Sequence, residues 1–323
     1  AHVWQGFASW RFRISQGLTF NAGLHSMYFG LNKKYTLEPR ASLKWQLNDQ
    51  QYISAGFGIH SRRDGLSLYL ARKEESDGSF IQPNRNLDFT KAMHFVLGYD
   101  VMFNKDLHLR VETYYQNLYD VPVFDDSSSV VSILNSVSPF TTQKLVNEGI
   151  GRNYGVEVTL EKFFSNNYYF LITSSLYQSK YTALDGIERN TRFNGNYVNN
   201  FLAGKDFPIG RNKNNLITTS ARFIWAGGKR YTPVDETMSK ELGYTVRDFD
   251  NAYGAKTSDY FRADISVGYV INKKTTTQTI KLDIQNVNNR TNVLSIYYSP
   301  RLDKLVEYTR GSIIPVLSYK LQF

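Results

Sequence analysis

The connections between alternating apolar and polar segments of this chain come in two kinds, very short and long, and the two kinds take turns along its 323 residues. Thirteen segments of about 11–14 residues read as β-strands. Short gaps lie at Ser15-Gln16-Gly17, Asn48-Asp49, Asn104-Lys105-Asp106, Ser165-Asn166-Asn167, Pro208–Asn212 and Asn272–Thr275. Long gaps fall at roughly 29–36, 61–90, 120–151, 181–193, 227–258 and 289–311. A water-soluble sandwich has no reason to gather every tight turn at one end and every long loop at the other. A barrel of the bacterial outer-membrane type does, with short periplasmic turns, long extracellular loops and tilted strands crossing about 25 Å of lipid. The spacing predicts an all-β, antiparallel transmembrane β-barrel.

Composition sharpens this reading. Mean hydropathy is −0.41, and no stretch approaches the ~18–20 consecutive apolar residues of a membrane helix. A barrel strand shows lipid only every second side chain, so low mean hydropathy is expected of it. Alternation is cleanest over 91–103, where Met93, Phe95, Leu97, Tyr99, Val101 and Phe103 share one face and His94, Gly98 and Asp100 the other. Leu107, Leu109 and Val111 alternate with His108, Arg110 and Glu112; Ile280, Leu282 and Ile284 alternate with Lys281, Asp283 and Gln285. Leu317, Tyr319, Leu321 and Phe323 alternate with Ser318, Lys320 and Gln322 in the last strand. The apolar set is expected to face lipid and the polar set the lumen. Segments 168–180 and 194–207 alternate poorly, and residues 194–200 read partly as loop.

Aromatic residues form two bands. Trp45, Phe103, Phe163, Tyr168, Phe207 and Phe323 lie beside short turns or the C-terminus, and Tyr28, Tyr119, Tyr181, Trp225 and Tyr260 where strands meet long loops. Amphipathic rings at both membrane interfaces produce such belts. Net charge is +9, but the basic residues are dispersed. They suit a polar lumen and the head groups of outer-membrane lipid and lipopolysaccharide, not nucleic acid.

Catalytic chemistry is poorly represented. With no Cys, disulfides, thiolate zinc sites and thiol catalysis are excluded. The five His are His2, His25, His60, His94 and His108, and no nucleophile-elbow pattern accompanies them. Gly56-Phe57-Gly58 sits inside a strand and opens no helix, so it is no dinucleotide fingerprint. Asp248-Phe249-Asp250-Asn251 offers oxygen ligands but not the spacing of a calcium loop. No catalytic residue, metal or cofactor is expected.

Several stretches carry a family resemblance. Leu37-Glu38-Pro39-Arg40 reads as the start of a strand, 226–233 (AGGKRYTP) as a strand-to-loop exit, and 259–264 (DYFRAD) as the start of the next strand. The most specific are 283–293 (DIQNVNNRTNV) and the ending 313–323 (IIPVLSYKLQF). In these the chain resembles the C-terminal part of the barrel of TonB-dependent receptors, particularly those of the Bacteroidetes. The resemblance runs over essentially the whole chain and is strongest after about Arg222. It implies a barrel of 22 strands with a plugged lumen, a plug domain N-terminal to the barrel, a terminal Phe read during assembly, and energy drawn through TonB.

On that basis residues 1–323 are expected to supply about 13 of the 22 strands, the first here being the tenth. The strands near residues 3–14 and 313–323 are expected not to pair with each other. Roughly ten backbone groups per open edge would each cost several kcal/mol in lipid, against ~5–15 kcal/mol of net stability for an ordinary protein. The remaining strands and the plug are therefore expected from an upstream segment or a second chain. The implied function is active uptake of a scarce nutrient: siderophore, haem, cobalamin, glycan or peptide. Arg40, Arg110, Glu112, Glu157, Arg222, Arg262, Asp264 and Asp283 are the lumen residues expected to meet plug or substrate. A passive porin-like channel or adhesion barrel is the alternative, and an outer-membrane hydrolase ranks third.

Overall fold

Asn-rich short turns set the register of the sheet. Asn166 and Asn167 both take positive φ (52° and 63°), as a two-residue type I′ hairpin requires. The Asn104 side chain accepts the N–H groups of Asp106 and Leu107 at 2.9 and 3.0 Å, and that of Asn48 accepts the Gln50 N–H at 2.9 Å. These local bonds let the chain reverse in a few residues.

The computed structural model describes residues 1–137 and 139–323. Its strands are β1 (Val3–Arg13), β2 (Leu18–Phe29), β3 (Lys34–Asn48), β4 (Gln51–Arg62), β5 (Thr90–Asn104), β6 (Leu107–Phe124) and β7 (Leu145–Ser165). They continue as β8 (Tyr168–Thr182), β9 (Tyr197–Ile209), β10 (Asn215–Ala226), β11 (Tyr260–Asn272), β12 (Thr277–Gln285) and β13 (Ile314–Gln322). Each pairs antiparallel with the next, so the short turns after β1, β3, β5, β7, β9 and β11 share one end of the sheet, and the connections after β2, β4, β6, β8, β10 and β12, all but the first of them long, share the other. Glu188–Asn190 adds a short strand to the loop end of β8 alone. Among the described residues β1 pairs only with β2 and β13 only with β12.

Pairing resolves the two faces. One row across the sheet runs Ala41, Phe57, Phe95, Tyr115, Tyr154; the row one residue away runs Arg40, Gly58, His94, Gln116, Asn153. Met93, Leu97, Val101 and Leu109 share the apolar face, and Ile280, Leu282, Ile284 and Leu317 continue it on the last strands. Leu97 remains 52% exposed and Phe95 45%, the opposite of a core that hides from water.

Several boundaries depart from the sequence reading. The connection expected at 29–36 is a tight turn at 30–33, because Tyr28↔Tyr35 and Phe29↔Lys34 extend the ladder. Leu37–Arg40 lies inside β3; what begins there is the β3–β4 ladder, at Arg40↔Gly58, just after Pro39, which has no N–H to donate. The loop expected at 120–151, which includes the undescribed residue 138, is trimmed at both ends because β6 and β7 reach 18 and 21 residues. Among the aromatic residues, Tyr181 and Tyr260 turn away from the apolar face. Tyr181 is fully buried, its hydroxyl donating to the Val130 carbonyl at 2.9 Å.

The loops fold together. Met27 and Phe29 of β2, Leu68 and Tyr69 of a helical turn, Leu87 and Phe89 before β5, Ile133 and Leu145 make one buried cluster. Val123, Tyr181 and Ala183 make a second, with Leu134, Val146 and Tyr253 packed on it. Buried Asn84 bridges two loops, donating to the Gln143 carbonyl and accepting the Leu145 N–H, both at 2.9 Å. At the resemblance stretch 226–233, a side chain on Gly227 would collide with the Gly195 carbonyl and one on Gly228 with that of Thr257, so only glycine lets these backbones meet.

Candidate functional site

All eight expected lumen residues lie on the polar face, seven of them in three separate groups and Asp283 by itself. Arg40 donates to Glu38 at 3.0 Å. Glu38, buried, also takes a hydrogen bond from Thr36 at 3.0 Å and faces His25 Nδ1 at 3.0 Å. Three partners around one carboxylate satisfy the lone pairs that burial would otherwise leave bare. Glu38 was not among the expected residues, although its two-residue spacing from Arg40 places both on one face.

The second group spans β5 to β8. Asp100 meets His108 at 3.1 Å and Arg110 at 4.0 Å, and Arg110 donates to Glu112 at 2.6 Å. Glu112 stands directly opposite Glu157 on β7, and Ser175 donates to Glu157 at 3.4 Å. Like charges opposite each other on neighbouring strands repel, by roughly 0.2–1 kcal/mol in water-facing sheets. One guanidinium for three carboxylates leaves this group acidic.

The third group centres on Asp264 of β11. Arg222 donates to it at 2.6 Å, Arg262 at 2.7 Å and the Asn286 backbone at 2.8 Å. Arg262 also donates to Gln285 at 2.9 Å. Asp283 stands apart, bound by Lys281 at 2.7 Å. The Asn-rich stretch after β12 ties this group to the chain that follows. Val287 N donates to the Ala263 carbonyl, and the Asn292 side chain makes both backbone hydrogen bonds of Phe261, at 3.0 and 3.1 Å. Side-chain amides there replace a strand ladder. Asp248 instead accepts the Asn251 N–H at 3.4 Å and caps a short turn.

Sequence reasoning missed the neutral wall on the loop side of the second group. Gln116, Asn153, Tyr114, Tyr177 and Ser179 share the polar face of β6 to β8, and Leu134, Thr191 and Phe193 from two loops fold over it, bounding a cavity of about 640 Å³. The alternation pattern contains the strand residues; the loop residues carried no signal.

The description "TonB dependent receptor-like, beta-barrel" fits the family model that matches residues 1–289. No curated protein sequence matches the chain. Among solved structures, the ferric yersiniabactin uptake receptor FyuA of Yersinia pestis superimposes with TM-score 0.67 at 13% identity, over 99% of this chain and 46% of that one. For BauA, the ferric preacinetobactin receptor of Acinetobacter baumannii, the values are 0.68, 12%, 99% and 43%. The ferric citrate transporter FecA gives 0.63, 11%, 99% and 44%. The chain spans less than half the length of each.

Proposed function

The chain belongs to the β-barrel family of TonB-dependent receptors and is an outer-membrane barrel wall, and from that premise we propose that it serves active, TonB-coupled uptake of a scarce nutrient. The nutrient is captured by the loops and passes along the polar face as a plug in the lumen rearranges. The observation that carries this is the density of charge on one face of a sheet whose other face is apolar. Asp264 with two arginines, and the Asp100–Arg110–Glu112–Glu157 group, offer a polar plug both signs of charge.

In this reading Arg40, Arg110, Glu112, Glu157, Arg222, Arg262, Asp264 and Asp283 contact the plug or line the route. The two unpaired sheet edges, costly in lipid, are met by further barrel strands of the same receptor, from an upstream segment or a second chain. The test is transport by the full-length receptor in its host with and without TonB. Uptake that stops without TonB supports the proposal; receptor-dependent uptake that continues unchanged without TonB overturns it in favour of a passive channel.

A further inference from the structure

Charge is absent from most of the 640 Å³ cavity beneath the loops. Its floor is Glu112 and Glu157, and its other lining side chains are neutral; among the described residues no Lys, Arg or His lines it. Two neighbouring arginines are already engaged. Arg110 is held by Glu112 at 2.6 Å, while Arg192 donates to the Asn135 carbonyl at 3.2 Å and covers the Phe193 ring. A multiply anionic ligand entering here would meet the Glu157 carboxylate, a Glu112 already neutralised by Arg110, and no basic side chain among the described lining residues.

The neutral groups are already oriented. Asn153 donates to Gln116 Oε1 at 3.1 Å, Thr191 donates to Ser179 Oγ at 2.8 Å, and the Tyr177 hydroxyl donates to the Phe193 carbonyl at 3.1 Å. Among the described residues the groups left without a partner include a matched pair, the Asn153 carbonyl oxygen as acceptor and the Ser179 hydroxyl proton as donor. Adjacent hydroxyls on a sugar ring each need one donor and one acceptor. Below them, the Glu157 carboxylate can accept from two hydroxyls at once.

Ring placement adds a second argument. A side chain on Gly155 would come within 3.0 Å of the Tyr114 hydroxyl, and one on Gly195 within 3.1 Å of that of Tyr177. Glycine at both positions leaves room for the two hydroxyls, and at Gly155 first of all for the Leu176 carbonyl, 2.5 Å from where a side chain would begin. Phe193 stands at the rim, 50% exposed. Flat aromatic faces with polar tips match the apolar C–H faces and polar edges of pyranose units, and the volume lies within the ~300–1,000 Å³ of small-ligand sites.

Resting on the uptake reading above, we propose that this cavity is a binding subsite for a neutral, hydroxyl-rich segment of the nutrient, an oligosaccharide, and that it discriminates against anionic ferric chelates. The test is calorimetric titration of the purified full-length receptor with neutral malto-, xylo-, manno- and galacto-oligosaccharides, and with ferric citrate and a ferric tris-catecholate as anionic probes. At least one neutral oligosaccharide binds, Asn153→Ala weakens it about tenfold, Tyr114→Phe weakens it less, and the ferric chelates do not bind. Each variant is first checked for the heat-modifiable gel mobility of a folded barrel. Silence across the neutral panel overturns the proposal, as does binding of a ferric chelate or an oligosaccharide affinity that Asn153→Ala leaves unchanged. The TonB experiment is separate. TonB-dependent uptake of a ferric chelate alone leaves the uptake reading standing and removes this one, whereas TonB-independent uptake removes the former whatever the cavity binds.

Discussion

The strand belt and the loop end of this molecule solve opposite problems with the same residue types. In the belt, Phe95, Leu97, Ile280 and Leu282 stand exposed on the outer face. In the loops, Phe29, Phe89, Leu68 and Tyr69 are almost wholly buried, with Phe29 edge-on to Tyr69 at 5.1 Å between ring centres. Where lipid is the solvent, apolar side chains have no reason to leave the surface, and only backbone polar groups must be satisfied internally. Where water is the solvent, the chain builds an ordinary hydrophobic core. One chain thus carries two folding criteria, and the boundary between them lies near the loop ends of the strands.

The largest effect that distinguishes the two regions is expected from Phe89→Ala. Truncating a buried Phe costs ~3–5 kcal/mol, and here the loss should fall on the loop assembly. Proteolysis of outer loops on intact cells should speed up while the heat-modifiable gel mobility of the barrel persists. If barrel and loops fail together, they form one cooperative unit and the division is wrong.

Leu97→Arg tests the belt. An arginine on the lipid face near mid-membrane costs ~2–4 kcal/mol, read as lower yield of folded receptor and a lower denaturant midpoint. Gly98→Arg faces the lumen and lacks that penalty, though its Cβ would approach the Ser54 hydroxyl to 2.7 Å. Equal losses from the two variants would contradict the assignment of faces.

Asn84→Ala should cost less, ~1–3 kcal/mol, by leaving the Leu145 N–H buried without its acceptor. Hydrogen exchange should rise at 141–145 and in the loop before β5, with the belt unchanged.

The smallest expected effect is a pH dependence of the loop after β4. Burial raises the pKa of Asp64, against the opposing pull of Arg62 at 3.4 Å. A carboxyl with a raised folded pKa contributes stability that is fully present below its unfolded pKa and is lost as pH rises through the folded one. Protection of residues 63–89 from exchange should therefore fall as pH climbs above the ordinary carboxylate range. Asp64→Asn should flatten that slope, and a slope that persists in the variant would assign it to another group.

Much of the belt could be read directly from the residues. Met93 to Phe103 and Ile280 to Ile284 alternate so regularly that both faces follow, and the eight charged candidates all fall on the polar one. Their partners were less legible. Arg222 with Asp264 is a direct cross-strand pair between β10 and β11, whereas the sequence has no sign that Asn286 would donate its backbone to the same carboxylate. Tyr181 looked like a membrane-interface ring because it ends a strand, but loop residues had an apolar hollow for it. Thr191 and Phe193 gave no warning that they would roof a cavity.

What the sequence determined by itself is what local geometry transmits: strand alternation, turn chemistry at Asn104 and Asn166-Asn167, and hence the meander and its two faces. A period of two is set by the bonds of adjacent residues and needs no distant partner. Only the tertiary structure decided where the loops go, because their order rests on contacts such as Asn84 with Gln143, 59 positions apart. Such a contact requires β4 through β7 to lie side by side, and no local pattern encodes that juxtaposition.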